Sequence, residues 1–422
     1  MADCLVIHGG KPLIGSVNIA GAKNAALKIL AATLLTDEPM VIGNLPHLQD
    51  ITIMLELLGE LGCKITVLDR MRVQIDSHSI QNLTVPYDLI KTMRASIVVL
   101  GPLLTRYAEA KVAFPGGCAI GTRPIDMHLD GLRTLGAEID IVDGFIHAKV
   151  PGGRLKGAHI HMHTVSVTGT ENLLMAATLA EGTTVIHNAA CEPEVCDLIK
   201  MLIEMGAKIE GAGTPTLTIH GVKALKGAEY QVMPDRIEAG TYLISAAMTS
   251  GCVTTQNVDV ASMSNILLKL SKAGAKLTEK QNSVTLDMRG RELKSVNIKT
   301  APYPGFPTDM QAQFMAMNAI ASGMSEIVET IWENRFMHVP ELQRLGANIR
   351  IKGNKAICIG VEKLHGAPVM ASDLRASASL VLAGLAAEGE TVIEGLHHMD
   401  RGYEYLEEKF SRLGADIERR CG

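Results

Sequence analysis

The sequence predicts an α/β chain built from six copies of one unit of about seventy residues, and three observations carry that expectation. A helix-ending string recurs six times: LGELGCKI from Leu58, LRTLGAEI from Leu132, LIEMGAKI from Leu202, LSKAGAKL from Leu270, LQRLGANI from Leu342 and FSRLGADI from Phe410. Its invariant glycine falls at 62, 136, 206, 274, 346 and 414, at intervals of 74, 70, 68, 72 and 68 residues. A second string, seen as EGTTVI, SGCVTT, SGMSEI and EGETVI, places glycines 182, 251, 323 and 389 some 23 to 25 residues ahead of the later four. One such string is a common helix-to-strand joint, but six at near-constant spacing indicate duplication.

Each unit reads as helix, strand, loop, helix, strand, strand. Ile51, Met54, Leu58 and Leu61 form a 3.6-residue stripe in the second helix of the first unit. The glycine after that stripe suits the left-handed position beyond a helix end, and KITV or NIRI then alternates as a strand. Six units divide into two domains of three, with helices inside and sheets outside or the reverse; periodicity does not choose between them.

Length and composition narrow the function. The 422 residues are 47% apolar and 20% charged, which excludes wholesale disorder. The longest clean apolar stretch, 97–104, is far too short to span a bilayer. No basic segment followed by an apolar block opens the chain, so a cytoplasmic location is expected. Net charge is −5 and aromatics number fourteen, which argues against nucleic-acid binding. The eight cysteines form no CxxC pair, and the reading is of buried, reduced thiols with Cys118 as the exception. The one HxxxH spacing, His159 to His163, lies in an alternating run with His161 that reads as an exposed strand and not as one face of a helix; no metal site and no cofactor are expected.

The first helix of each unit is expected to open with polar groups: Lys23-Asn24, Lys91 and Arg94, Ser166 and Thr168, Asp235-Arg236, Thr308-Asp309, and Asp373 with Arg375. Capping accounts for Thr308, Asp309 and Asp373. It does not account for Lys23, Arg94, Arg236 or Arg375, because a cation at a helix start opposes the dipole unless an anion sits nearby. The segment 114–124, FPGGCAIGTRP, holds three glycines and two prolines and reads as a mobile loop. Arg123 beside Cys118 favours the thiolate, as suits a reactive group on a lid; an inert thiol in an ordinary loop is the alternative.

These residues lie in blocks that resemble the UDP-N-acetylglucosamine enolpyruvyl transferases: GAKNAA at Gly21, PYDLIKTMRAS at Pro86, PGGCAIGTRPIDMH at Pro115, PDRIEAGT at Pro234, FPTDMQAQF at Phe306, ENRFMHVPEL at Glu333, DLRASASLVLAG at Asp373 and DRGYE at Asp400. The resemblance runs end to end. It implies a two-domain inside-out α/β barrel of six βαβαββ repeats. Residues 22–233 would form an N-terminal domain carrying the lid 114–124, and residues 1–21 with 234–422 a C-terminal one, with the active site between them. The implied reaction moves the enolpyruvyl group of phosphoenolpyruvate to the 3-hydroxyl of UDP-N-acetylglucosamine and releases phosphate. Cys118 is the implied general acid and site of a covalent adduct, open to the epoxide fosfomycin, and Asp309 the base or hydroxyl orienter. Lys23, Arg123 and Arg401 are implied to meet phosphoenolpyruvate, with Arg94 and Arg375 nearby. The resemblance places Asn24 against the sugar hydroxyl, Ile331 and Asp309 near the sugar, and Arg123, Pro124, Asp126, Val165, Ser166, Val167 and Thr168 on the nucleotide side.

Three positions depart from the pattern: Thr164 where some members carry lysine, Lys28 for the proline of GAKNAALP, and Cys191 for the arginine of AAREPE. Two other readings stand beside this one, the shikimate-pathway enolpyruvyl transferase and a catalytically silent nucleotide-sugar-binding paralogue. The first lacks a lid cysteine, and the second would have lost acid or base.

Overall fold

The computed structural model describes residues 3–115 and 125–420, without the side chains of residues 92, 94 and 95. Lys23 is the first residue of the helix Lys23–Ala32, and the repeat it opens is typical. The strand Met40–Gly43 follows, then the helix Gln49–Glu60 and the hairpin strands Lys64–Asp69 and Arg72–Asp76. Ile51, Met54 and Leu58 are buried, as the stripe requires, with Leu61 beneath the helix end.

The glycines that end the six second helices, at 62, 136, 206, 274, 346 and 414, have φ between 95° and 106°. That conformation costs glycine little and a residue with a Cβ considerably more, so the recurring glycine marks a backbone requirement.

The described chain forms six four-stranded sheets, each with one parallel and two antiparallel pairings. In one of them His159–His161 runs parallel to Thr183–His187, followed by Thr216–His220 and Lys208–Glu210. The unit as read from its helices lacks the leading strand of the repeat, although the alternation at His159–His161 marks one of them. Thr84–Val85 and Ile298–Lys299 have two residues each, and Glu229–Gln231 and Pro368–Met370 three, too few to show alternation, while Ile14–Asn18 has five.

The chain divides into two units. One comprises residues 21–115 and 125–233, the other 3–20 and 234–420. In the first, Glu229–Gln231 supplies the parallel strand beside Met40–Gly43. In the second, Ile14–Asn18 does the same for Cys252–Gln256, and Cys4–His8 lies between Glu390–Glu394 and Asp416–Arg420.

The choice that periodicity left open is settled: helices lie inside, sheets outside. Every residue of the helix Arg236–Met248 is buried, as are eleven of the thirteen in Leu374–Ala386 and nine of the ten in Gln311–Ile320, and these three pack on one another. The sheets are half-buried, in patterns such as eBeBi along Lys355–Ile359. A helix apolar on all sides belongs in a core, whereas a strand with one polar face belongs at its boundary. Each unit has its own continuous apolar core.

Two thiols, Cys63 and Cys358, are buried, and burial pushes each up to about 12. Cys4, Cys191, Cys196 and Cys252 are only half-buried, because they sit at strand starts or around a helix start, so the expectation of mostly buried cysteines is corrected. No helix among the described residues is long and apolar enough to cross a membrane.

Candidate active site

In the second unit the candidate Arg375 meets Asp309, in the single turn Thr308–Met310 before the helix Gln311–Ile320. Asp309 Oδ1 accepts from Arg335 Nη2 at 2.8 Å, and its Oδ2 from Arg375 Nε and Nη2 at 3.3 Å. Both guanidiniums are buried, whereas the Asp309 side chain keeps a quarter of its surface. Arg375 enters the site because Asp373 caps its helix, accepting from the N–H groups of Arg375 and Ala376. Capping is therefore the correct account of Asp373. Arg375 Nη1 is buried and lacks a hydrogen-bond partner among the described residues, and the guanidinium stands 5.5 Å from the Tyr403 ring.

Arg335 is a further candidate, which its place in the sequence does not single out. It also donates to Thr308 Oγ1 at 3.1 Å. Glu329 is a second. Buried to 2% exposure, it accepts from the hydroxyls of Thr300 and Thr308 and from the N–H groups of Ile331 and Trp332, fixing the Ile331 loop beside Thr308. Arg401 ends the turn Leu396–Arg401, which packs on the helix Leu374–Ala386. Its neighbour Asp400 is clasped by Arg419 through contacts of 3.0 and 2.6 Å.

In the first unit Lys23 is buried at its helix start, and its Nζ donates to Asp50 Oδ2 at 3.1 Å. Asp50 occupies the first turn of the next helix and is likewise not singled out by its place, since an acidic residue there reads as ordinary dipole compensation. Asn24 is half-buried beside Lys23. Ser166 caps the helix Val167–Ala177, its Oγ accepting from Gly169 N at 3.1 Å, and Val165 to Thr168 are half-buried at that helix start. Asp126 opens the helix Asp126–Thr134 and is exposed, as is Thr164.

One assignment is corrected. Lys91 lies in the last turn of the helix Tyr87–Thr92, where a cation complements the dipole and needs no anion. Cys118, Arg123 and Pro124, with most of the expected lid, lie outside the described residues, as does the side chain of Arg94. His159, His161 and His187 do face one way, with rings stacked at 5.6 and 4.4 Å.

The match to the EPSP synthase (3-phosphoshikimate 1-carboxyvinyltransferase) family spans residues 7–410. The chain belongs to the EPSP synthase family. Within that family it is 60% identical over 417 residues to the UDP-N-acetylglucosamine 1-carboxyvinyltransferases of Coxiella burnetii strains Dugway 5J108-111 and RSA 493 / Nine Mile phase I, covering 99% of this chain and 96% of theirs. The enolpyruvyl transferase NikO of Streptomyces tendae superposes with a TM-score of 0.90 at 26% identity over the whole of both chains. An EPSP synthase of Acinetobacter baumannii superposes with a TM-score of 0.79 at 19% identity, covering 99% of this chain and 100% of that one, a likeness of fold alone.

Proposed function

We propose that the chain transfers the enolpyruvyl group of phosphoenolpyruvate to the 3-hydroxyl of UDP-N-acetylglucosamine, the first committed step of peptidoglycan synthesis, in the cytoplasm. The observation that carries this is the 60% identity, sustained end to end, to enzymes of that name. In the addition step the sugar oxygen bonds to the central carbon of the enol ether while a proton reaches its methylene carbon. In the elimination step the carbon–oxygen bond to phosphate breaks and a methyl proton leaves, restoring the double bond. One acid and one base positioned on the two reacting partners serve both steps.

On this reading Cys118 supplies the proton and can hold the substrate covalently. Asp309 faces the sugar hydroxyl. Because two guanidiniums already share its oxygens, orienting that hydroxyl suits it more than capturing the proton outright. Lys23, Arg123 and Arg401, with Arg94 and Arg375, neutralise the phosphate and carboxylate of phosphoenolpyruvate; bidentate guanidinium contacts match both groups. Asn24 and Ile331 serve the sugar, while Pro124, Asp126 and Val165 to Thr168 serve the nucleotide. No metal or cofactor enters this scheme.

A phosphate-release assay with each substrate omitted in turn tests it. Release that requires both phosphoenolpyruvate and UDP-N-acetylglucosamine is expected. Release with shikimate 3-phosphate in place of the nucleotide sugar would transfer the reading to the sister enzyme, and no release with either acceptor would favour a silent paralogue.

A further inference from the structure

Lys28, a departure from the family pattern, meets one buried carboxylate, Glu171, and Cys191 lies in the neighbouring loop. Lys28 lies one turn beyond Asn24 on the buried helix Lys23–Ala32 and is 6% exposed. Its Nζ donates to the Asn24 carbonyl at 2.8 Å and stands 3.2 Å from Glu171 Oε2. Glu171 is fully buried in the first turns of the helix that Ser166 caps. The ion pair lies off the hydrogen-bond direction, so neither Glu171 oxygen accepts an aligned hydrogen bond among the described residues. Glu192 and Glu194 add like charge to Glu171. Position 191 adjoins this cluster: Thr170, the residue before Glu171, accepts from the N–H of Ala190 at 2.9 Å.

A buried carboxylate needs a counter-charge, and breaking such a pair from one side is far more disruptive than removing both charges. Here the ammonium comes from the helix that carries Lys23 and Asn24.

We propose that Lys28 is a positioning residue for the sugar-nucleotide site: its ammonium is the counter-charge of Glu171 and, in that role, ties the helix start bearing Asn24 to the helix start bearing Ser166 and Thr168. It acts through those residues and touches no substrate. The inference rests on the functional reading above. Wild-type turnover tests that reading, whereas the comparison among variants tests this one.

The experiment measures kcat and KM for both substrates, and calorimetric binding of UDP-N-acetylglucosamine, in four variants of the full chain. Lys28→Met is expected to raise KM and Kd for the nucleotide sugar about tenfold or more, since small misplacements of positioning groups carry effects of that size, with kcat within about threefold of wild type. Lys28→Arg keeps the charge and should stay near wild type. Lys28→Met/Cys191→Arg returns a cation near Glu171 without the tie to the Asn24 helix, so it should regain melting temperature but keep the raised KM. Lys28→Met/Glu171→Leu removes both charges, so it folds even where the single variant does not, and it should keep the raised KM because the tie is gone. A lower melting temperature with unchanged KM and Kd in the Met variants would reduce Lys28 to a stability role and overturn the proposal. Wild-type affinity restored by arginine at 191 would show that charge alone, and not the tie between the helix starts, sets the site, and would overturn the proposal.

Discussion

Replacing Arg335 by methionine removes the contact that most directly orients Asp309. The arginine side chain is 7% exposed and donates at 2.8 Å to Asp309 Oδ1 and at 3.1 Å to Thr308 Oγ1. Charge-assisted hydrogen bonds contribute about 1.5–3 kcal/mol each, and breaking a buried pair costs about 3–5 kcal/mol. Asp309 is a quarter exposed and keeps Arg375 at 3.3 Å, which places the loss at the lower end. A loss of about 2–3 kcal/mol of transition-state stabilisation follows, or roughly a thirty- to hundredfold fall in kcat/KM at about 1.4 kcal/mol per tenfold. Lysine should recover little, because a single ammonium does not reproduce a planar fork reaching both Asp309 and Thr308. Steady-state phosphate release measures both variants, with circular dichroism to establish folding. Activity of folded Arg335→Met within about threefold of wild type would refute the argument, since a contact that orients Asp309 in the transition state cannot be that dispensable.

Four further outcomes are expected. His338 is fully buried, and burial holds it down to about 4. A depressed histidine stays neutral in the folded state, so its stability contribution is intact above about 6.5 and is lost as pH falls towards 4; at pH 5 the loss is about 2 kcal/mol. His338→Gln should therefore narrow its melting-temperature gap to wild type, or overtake it, at pH 5 relative to pH 7.5, and a pH-independent gap would contradict this. Gly101→Ala should cost about 2 kcal/mol or more in urea unfolding, because a Cβ there would stand 2.4 Å from the Asn172 carbonyl oxygen. Gly136→Ala, which meets open space and strains only φ, should cost about 1 kcal/mol. Fosfomycin should label Cys118 and leave Cys63 and Cys358 untouched in the native protein, since burial keeps those two thiols protonated; peptide mapping that finds Cys63 or Cys358 modified instead would remove the assignment.

The repeat was legible because one backbone requirement, a left-handed residue after each second helix, forces glycine at six positions and leaves a periodic trace. Most leading strands left none: two or three residues such as Ile298–Lys299 have no period to detect. Whether helices lay inside was invisible locally and depended on helices such as Arg236–Met248 being buried on every side. At the candidate site, Lys23 and Arg375 could be singled out because a cation at a helix start needs an explanation. Asp50 could not, because an acidic residue in that position needs none. Arg335 lies in the irregular stretch before the helix Val339–Arg344, 26 residues from the aspartate it grips, so no spacing marks it.

The central claim, enolpyruvyl transfer to the sugar 3-oxygen, is tested most directly by isolating the product formed from phosphoenolpyruvate and UDP-N-acetylglucosamine and determining its connectivity by nuclear magnetic resonance. The account predicts an enol ether on the 3-oxygen of the amino sugar, formed in equal amount to the phosphate released. Phosphate released without a new nucleotide-sugar species, or an enol ether on any other oxygen, would contradict it.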